Sequence, residues 1–442
     1  MKLRSAAPLY FLIAFACDGN APRDAGTDAG PPPRDAGHDA GYDAGPRDAG
    51  HDAAGDDAGP PGAWTLVPGL PDGCVVEYTT DASELEGFRR EPCPGVDSCE
   101  RLVPEWEWGS VELRVEGGVA DSDPPAFFFI REGPLGHWEE WLVTDAGVAQ
   151  FGVRGFIRDS PRCYTGPFDA SRDRLAFTVR EPAGDFNHHW VIGGTWGTDG
   201  VALTNLGRLS DLVPGTSSFD SIRSGPERVA VESAPLHTIL DVPSSGALPT
   251  MIADSSDGGQ TYVAAVHDDT LFYDVYGGHH HVRASTAGER GRVLIDPSDA
   301  EAIRVMTDGT DMAWIQAYGR VSSYEFDRLE LWASPYAERA EDLVPRHVAD
   351  LPFTDPYPEA SIGSGYVTIA ETDTSLRAVL GVYRLSDGAR AEIAAPGVSI
   401  HWHAAAYVTP EIVAVATGVG GTPPRDSSLR MHRIDSLEFV AP

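Results

Sequence analysis

Short apolar runs recur along most of the chain. After residue 63, runs rich in Val, Ile, Phe, Tyr and Trp are separated by Gly, Pro, Asp and Ser every 8 to 12 residues. A sustained helical period of apolar positions does not occur in this region. Short β-branched and aromatic runs bounded by turn residues are typical of β-strands. The pattern therefore predicts an all-β fold.

The runs also recur at a longer period. The clearest unit spans residues 298–351 and contains AIRVMTDG, DMAWIQAYG, RLELWASPY and RHVADLP. Six further units span residues 105–156, 165–213, 217–249, 250–297, 357–397 and 398–442. The unit at 165–213 contains the run DRLAFTVRE, and the unit at 398–442 ends in LEFVAP, which we expect to be its last strand. A single four-strand unit cannot bury both of its faces, whereas a ring of such units can. We predict a β-propeller of about seven four-stranded blades over residues 105–442, with six or eight blades or a pair of β-sandwiches as alternatives.

Two motifs support this fold by resemblance. Residues 308–332 carry a DG…AW…LW pattern, which resembles TolB-type and peptidase-type propellers over about three units. Ser255 to Tyr262 read SSDGGQTY, which resembles the Asp-box of sialidase-like and other propellers, S-x-D-x-G-x-T-W, with Tyr in the last position.

The Asp-box resemblance implies a structural β-hairpin turn rather than a catalytic site. Asp257 would accept bonds from turn amides, and Gly259 would take a positive φ. Thr261 and Tyr262 would begin the outgoing strand. The family places this hairpin between the third and fourth strands of a blade, whereas the unit at 250–297 places it between the first and second.

The N-terminus has a different character. Lys2 and Arg4 precede an apolar run from Leu9 to Ala16, which is typical of a secretory signal peptide over residues 1–16. The run is too short to span a bilayer, which needs about 20 residues. Cys17 follows directly and resembles the lipobox cysteine of bacterial lipoproteins. The resemblance implies acylation of Cys17 and attachment to a membrane.

A second interpretation of this junction stays open. Positions 14 and 15 hold Ala and Phe, where the lipoprotein family usually has Leu and a small residue. Ordinary cleavage after Ala16 would release a secreted protein. We expect an outer-membrane or cell-surface lipoprotein, with secretion as the alternative, and the choice of membrane stays open.

Residues 17–62 contain the cysteine and a linker. From Asp18 to Gly62 there are seven Asp-Ala-Gly triplets, ten Asp, three Arg and no Leu, Ile, Val or Phe. Such a segment cannot bury enough apolar area to offset its ordering entropy, so we predict that it is disordered. The repeat resembles the linkers of exported lipoproteins in myxobacteria and their relatives.

Charge restricts the partners. The chain carries 33 Lys and Arg against 67 Asp and Glu, a net charge of −34. The leader contributes +2 and the linker −7, which leaves −29 after residue 62. This charge opposes binding to nucleic acid or to an anionic lipid surface. We expect a monomer whose only membrane contact is the lipid anchor.

The cysteines after the linker predict disulfides. Residues 63–104 form a segment with Cys74, Cys93 and Cys99, and the fourth cysteine is Cys163. The spacing is not that of a zinc site, and an exported protein favours disulfides. We favour Cys93–Cys99 and Cys74–Cys163, one of three possible connectivities.

The remaining candidates are histidines. They are grouped at His188-His189, at residues 279–281, and at His401 with His403. As weak metal-ligand candidates we consider His137, His189, His401 and His403: the first two on a rim of the ring, the last two on an inner strand. Neighbouring strand residues point to opposite faces, so the triplet cannot converge. We predict no cofactor and no metal site.

The sequence lacks the G-x-S-x-G elbow, the Walker loop, the dinucleotide fingerprint and the H-E-x-x-H motif. The enzyme question therefore stays open, with a non-catalytic role favoured. We predict a propeller that binds a protein, peptide or glycan at the cell envelope. The alternatives are a propeller hydrolase or lyase acting on an extracellular polymer, and an envelope assembly component.

Overall fold

The structure is a computed structural model of the chain. It describes residues 64–70, 74–81, 88–104, 126–132, 138–144, 149–156, 164–171, 174–183, 186–197, 200–209, 219, 221–233, 237–257, 259–286, 288–322, 325–352, 358, 360–372, 378–393, 399–400, 407–419 and 425–442. The leader, Cys17 and the linker lie outside these ranges, and so do His137, Cys163, His401 and His403.

The described residues form 31 β-strands and short 3-10 turns. The N-terminal strands are β1 (Thr65–Leu66), β2 (Val75–Thr79), β3 (Phe88–Pro92) and β4 (Cys99–Pro104). The next are β5 (Ala126–Glu132), β6 (Trp138–Thr144), β7 (Ala149–Phe156), β8 (Tyr164–Ser171), β9 (Arg174–Ala183), β10 (Phe186–Gly197), β11 (Gly200–Arg208), β12 (Ser221–Ser224), β13 (Arg228–Ser233), β14 (Thr238–Pro243) and β15 (Thr250–Ala253).

The second half continues the pattern. Its strands are β16 (Gly259–His267), β17 (Thr270–Gly277), β18 (His281–Thr286), β19 (Arg292–Ile295), β20 (Glu301–Thr307), β21 (Asp311–Ser322), β22 (Glu325–Pro335), β23 (Arg346–Asp350), β24 (Ala360–Gly363), β25 (Tyr366–Thr372), β26 (Ala378–Arg384), β27 (Arg390–Ile393), β28 (Ser399–Ile400), β29 (Tyr407–Val408), β30 (Ile412–Val419) and β31 (Arg425–Arg433). The 3-10 turns span Ser255–Asp257, Ala340–Asp342 and Ile434–Ser436. In the described ranges, no helix combines the length and the apolar character that a membrane crossing needs.

The strands assemble into seven antiparallel sheets. The second to sixth sheets are meanders of four consecutive strands: β8–β11, β12–β15, β16–β19, β20–β23 and β24–β27. The first sheet has the order β1-β2-β7-β6-β5, and the seventh has the order β28-β30-β31-β4-β3 with β29 also paired to β30. The predicted all-β class and the seven antiparallel units are confirmed, although the first and last sheets have more than four strands, and the arrangement is consistent with a propeller.

The first strands of successive sheets contact one another in chain order, from β8 through β12, β16, β20 and β24 to β29. Apolar side chains fill the space between neighbouring sheets. The cluster between the second and third sheets includes Ala176, Val191, Val229 and Leu240, all 3% exposed or less. Similar clusters follow between the later pairs of sheets. The third to sixth sheets therefore bury both of their faces against their neighbours.

Buried carboxylates join one sheet to the next. Asp169 of β8 accepts hydrogen bonds from the Ser224 amide at 2.7 Å and the Ser224 hydroxyl at 2.6 Å. Glu232 of β13 accepts the Val263 amide at 3.0 Å, at a bulge in β16. Asp274 of β17 accepts the Arg304 amide at 3.2 Å, at a bulge in β20. Bulges leave backbone N–H groups outside the ladder, so Glu232 and Asp274 satisfy amides at these two bulges.

The N-terminal segment joins both ends of the chain of sheets. Strand β2 pairs with β7 in the first sheet, and β4 pairs with β31 in the seventh. We expected the run LEFVAP at the C-terminus to supply the last strand of the final unit, and this was wrong. Those residues make only an isolated bridge from Val440 to Arg390, and β4 occupies the place beside β31. The two runs are equally strand-like, and only the long-range pairing distinguishes them.

The disulfide prediction is confirmed for Cys93 and Cys99, which are bonded to each other across the β3–β4 turn. Cys74 is also disulfide-bonded, and its partner lies outside the described residues. Its pairing with Cys163 stays a prediction.

Leu102 tests the contribution of β4. This side chain is fully buried where β4 meets β31, whereas Leu66 on β1 is 55% exposed. Truncating a buried leucine costs about 3 kcal/mol, and an exposed one less than about 0.5 kcal/mol. Leu102→Ala should therefore lower the urea midpoint of the full chain, measured by tryptophan fluorescence, and Leu66→Ala should not. Equal midpoints for the two variants would contradict the pairing of β4 with β31.

Candidate functional site

A groove of about 960 Å³ has several charged residues in its walls. Its walls come from the β3–β4 turn, from β23, from β27 and from residues 436–442. The groove therefore borders the outer strands of the fifth and sixth sheets and the N-terminal segment of the seventh. The Arg390 amide donates to the Val440 carbonyl at 2.9 Å, and the reverse bond has the same length. These two bonds fix the C-terminal residues as one wall.

A buried carboxylate supports the floor of the groove. The Glu371 side chain has no solvent exposure, and it accepts hydrogen bonds from the Tyr383 hydroxyl and the Arg390 guanidinium. A side chain at position 381 would place its Cβ 2.2 Å from Glu371 Oε1, so Gly381 makes room for the carboxylate. Tyr383 and Arg390 both line the groove. Glu371 thus holds two groove residues in place.

The environment shifts the pKa values of this trio. Burial raises the pKa of Glu371, although the bonds from Arg390 and Tyr383 act in the opposite direction. Burial and the nearby Glu371 carboxylate raise the pKa of Tyr383. Burial opposes the charge of Arg390, yet its bond to Glu371 raises the pKa of the guanidinium overall. Both oxygens of Glu371 are occupied, which fits a positioning role better than proton transfer to a ligand.

The rim of the groove is acidic. Its charged lining residues are Asp97, Asp350, Glu392 and Glu438 against the single guanidinium of Arg390. All four carboxylate residues are exposed. Arg390 also contacts Glu392 at 3.3 Å, so its charge is shared between two carboxylates. The groove is therefore suited to a positively charged ligand.

His432 lies at the inner end of the groove. It is 5% exposed, and its Nε2 lies 3.6 Å from Cys99 Sγ of the disulfide. Burial, with a smaller effect of Arg430, lowers the pKa of His432 to about 4. The imidazole is therefore neutral at physiological pH and adds no positive charge.

The Asp-box segment is placed differently from the expectation. Ser255–Asp257 is a 3-10 turn between β15 of the third sheet and β16 of the fourth, so it is not a hairpin within a sheet. Gly259 begins β16 without a positive φ, and a Cβ there would lie 2.2 Å from the Tyr276 carbonyl oxygen. The glycine is required by close packing. The reason for the error is that Thr250–Ala253 is the last strand of the preceding sheet.

The residues of this segment have structural contacts. Asp257 is buried and binds Arg283 at 3.2 Å and Arg290 at 2.8 Å, and it accepts the Asp254 amide at 3.2 Å. The buried Thr261 hydroxyl donates to the His237 carbonyl at 2.6 Å. The Tyr262 ring lies 4.7 Å from the Tyr276 ring, measured between centroids.

His189, the one histidine candidate that the structure describes, does not line the groove. His189 lies in β10, is 2% exposed and packs edge-on against Phe219 at 4.8 Å between centroids. It is a core residue instead of a rim residue, because its strand is covered by the neighbouring sheet. The other three candidates lie outside the described residues. Of the triplet, His279 pairs with Asp296 at 2.7 Å and His280 is buried beside Glu301 at 3.1 Å.

The groove residues were not predicted from the sequence. One signal was present: Gly381 interrupts the strand run AVLGVYR, and an isolated glycine in a strand often marks a close approach by another group. Nothing in the run YVTIAET shows that Glu371 would be buried against Gly381. The contribution of residues 436–442 depends on tertiary contacts alone.

Comparisons with known proteins give the chain no family. No protein-family model and no curated protein sequence matches it. Among solved structures, a chain from the crystal structure of a nidogen/laminin complex is 11% identical, with a TM-score of 0.36 over 60% of this chain and 90% of that chain. A prolyl endopeptidase is 9% identical, with a TM-score of 0.41 over 80% of this chain and 54% of that chain.

A puromycin-hydrolyzing peptidase of Mycobacterium tuberculosis is 10% identical, with a TM-score of 0.40 over 75% of this chain and 53% of that chain. The protein thus spans about half the length of the two peptidase chains. All three TM-scores are below 0.5, and these similarities assign no function to the chain.

Replacing Arg390 tests its ion pair with the buried Glu371 at the floor of the groove. Arg390→Met leaves the buried Glu371 carboxylate without its cation, which should cost about 3 kcal/mol of unfolding free energy at neutral pH. The loss should shrink as the pH falls, because the pKa of Glu371 is raised and the protonated acid needs no counter-ion.

Urea unfolding from neutral pH down to the raised pKa of Glu371 measures both the loss of unfolding free energy and its dependence on pH. Arg384→Met is the matched control, since Arg384 pairs with Asp387 on the surface and its loss should change the unfolding free energy little at any pH. A destabilisation by Arg390→Met that does not change with pH would contradict the role given to Glu371.

Proposed function

We propose that the protein is an exported, lipid-anchored binding module without catalytic activity. In this proposal, the seven sheets close into a propeller with seven blades. The acidic groove binds a positively charged, extended segment of another protein at the cell envelope. The observation that carries the proposal is the groove itself, in which four exposed carboxylates face one shared guanidinium.

Closure of the ring is supported by the N-terminal segment. It supplies an outer strand to the first sheet through β2 and to the seventh sheet through β4. Only eight residues separate the end of β2 at Thr79 from the start of β3 at Phe88. Such a short connection, at most about 3.5 Å per residue, favours neighbouring positions for the first and last sheets.

The ligand class follows from size and charge. A groove of about 960 Å³ can hold several side chains of an extended peptide. Complementary charge increases the rate at which two proteins associate and the specificity for the partner more than it increases the affinity. The buried acidic groups favour binding over hydrolysis, because Glu371, Asp274 and Glu232 are engaged in contacts within the protein. The hydrolase or lyase alternative has no such supporting observation.

A lysine-containing probe tests the groove. The full chain should bind a short peptide of alternating lysine and serine at low ionic strength, and a glutamate version should not bind. Asp97→Asn with Glu438→Gln should weaken binding about tenfold, as two rim charges are lost. The control pair Glu227→Gln with Asp299→Asn removes two exposed carboxylates elsewhere.

Fluorescence anisotropy of the labelled peptide measures these affinities. Equal weakening by the two pairs would show a general charge effect and would contradict a specific role for the groove. If the lysine peptide does not bind the wild-type chain, the proposal that the groove binds a cationic ligand is wrong.

The membrane anchor is tested at one residue. Mass spectrometry of the mature protein from its producing cells should show a diacylated or triacylated N-terminal Cys17. An unmodified N-terminal thiol at this position, or a mature chain that begins elsewhere, would leave a secreted protein and refute the anchor.

A further inference from the structure

A bulge in β23 brings three side chains of the types that bind metals, one imidazole and two carboxylates, to one face of the fifth sheet. Glu330 of β22 lies opposite Asp350, and Trp332 lies opposite His347, with one extra residue in β23 between these pairs. Residues three apart on a regular strand point to opposite faces. The bulge removes this alternation, so His347 and Asp350 share a face with Glu330, while Val348 and Ala349 are both buried behind it.

The same bulge occurs in the third and fourth sheets, which shows what is particular to the fifth. There the register shifts place Met251 and Val293 at the position of His347. An aspartate follows in all three sheets, at Asp254, Asp296 and Asp350. The bulge is therefore a repeated feature of the architecture, and the fifth sheet adds an imidazole to it.

The geometry points to a zinc site formed by Glu330, His347 and Asp350, and we propose that the protein binds one zinc ion there. One ligand atom from each residue lies within 4.8 Å of the others, and His347 Nε2 is 3.2 Å from Asp350 Oδ1. Imidazole nitrogen and carboxylate oxygen are zinc ligands, with bonds of about 2.0–2.2 Å. Ligand atoms around such an ion lie roughly 3.3 Å apart, so the exposed His347 and Asp350 side chains need only rotate slightly inward.

The third ligand is held by its own partners. Glu330 is 6% exposed, and its two oxygens contact Trp332 Nε1 at 2.9 Å and Arg328 Nε at 3.2 Å. Each carboxylate oxygen has a second lone pair, so these contacts orient Glu330 without preventing coordination. The Trp332 ring also packs edge-on against His347 at 5.8 Å between centroids. Trp332 therefore positions both the buried ligand Glu330 and the exposed ligand His347.

Three protein ligands leave one position of a tetrahedral zinc ion open. His347 and Asp350 also line the acidic groove, so this position lies beside the groove. A water molecule or a side chain of a bound partner could occupy it. The zinc site does not depend on the cationic peptide: its ligands Glu330 and His347 are not changed in the peptide experiment.

Calorimetry with zinc chloride on the full chain, purified without a histidine tag, tests the site. The wild-type chain should bind one zinc ion. His347→Ala should weaken binding at least about 100-fold, and Trp332→Phe about 10-fold, because outer partners of a ligand have effects of that size. His279→Ala is the matched control, since His279 pairs with Asp296 in the fourth sheet and should leave zinc affinity unchanged.

Folding is checked by thermal unfolding without metal, where His347→Ala should match the wild type because its side chain is 44% exposed. Absence of zinc binding by the wild-type chain would overturn the proposal. Equal zinc affinities for His347→Ala and the wild type would also overturn it.

Discussion

The architecture depends on hydrogen bonds from backbone amides of one sheet to buried carboxylates of the sheet before it. Asp169, Glu232 and Asp274 each accept an amide from the first strand of the next sheet. A buried carboxylate without such donors would be costly, and so would an unpaired amide at a bulge. Each contact therefore satisfies two groups that would otherwise oppose folding, and it fixes which strand lies beside which.

These contacts also affect ionisation. Burial raises the pKa of Asp274 to about 6, against the opposing effect of Arg304 and the backbone amides. The carboxylate is therefore mostly ionised at neutral pH, and its charge is directed at the donors of the next sheet. Buried acids with this structural role need no catalytic explanation, although their pKa values are unusual. The same reasoning applies to Glu371, which holds Tyr383 and Arg390 at the groove.

The sequence predicted the strands of the central sheets well, because alternation and turn residues are local signals. The runs DRLAFTVRE and DMAWIQAYG became β9 and β21. Pairing between the chain ends was not predictable in this way, since Cys99 and His432 are 333 residues apart. The site was less accessible still. His347 and Asp350 meet Glu330 only through a one-residue bulge, and no pattern of apolar positions identifies that bulge before the pairing is known.

Native-state hydrogen exchange of the full chain tests directly whether carboxylate-to-amide contacts hold successive sheets together. If they do, the amides of Ser224, Val263 and Arg304 exchange as slowly as their strand-paired neighbours, and Glu232→Ala accelerates exchange at Val263 most. Exchange of the three wild-type amides at the rate of exposed loop amides would contradict this role of the buried carboxylates.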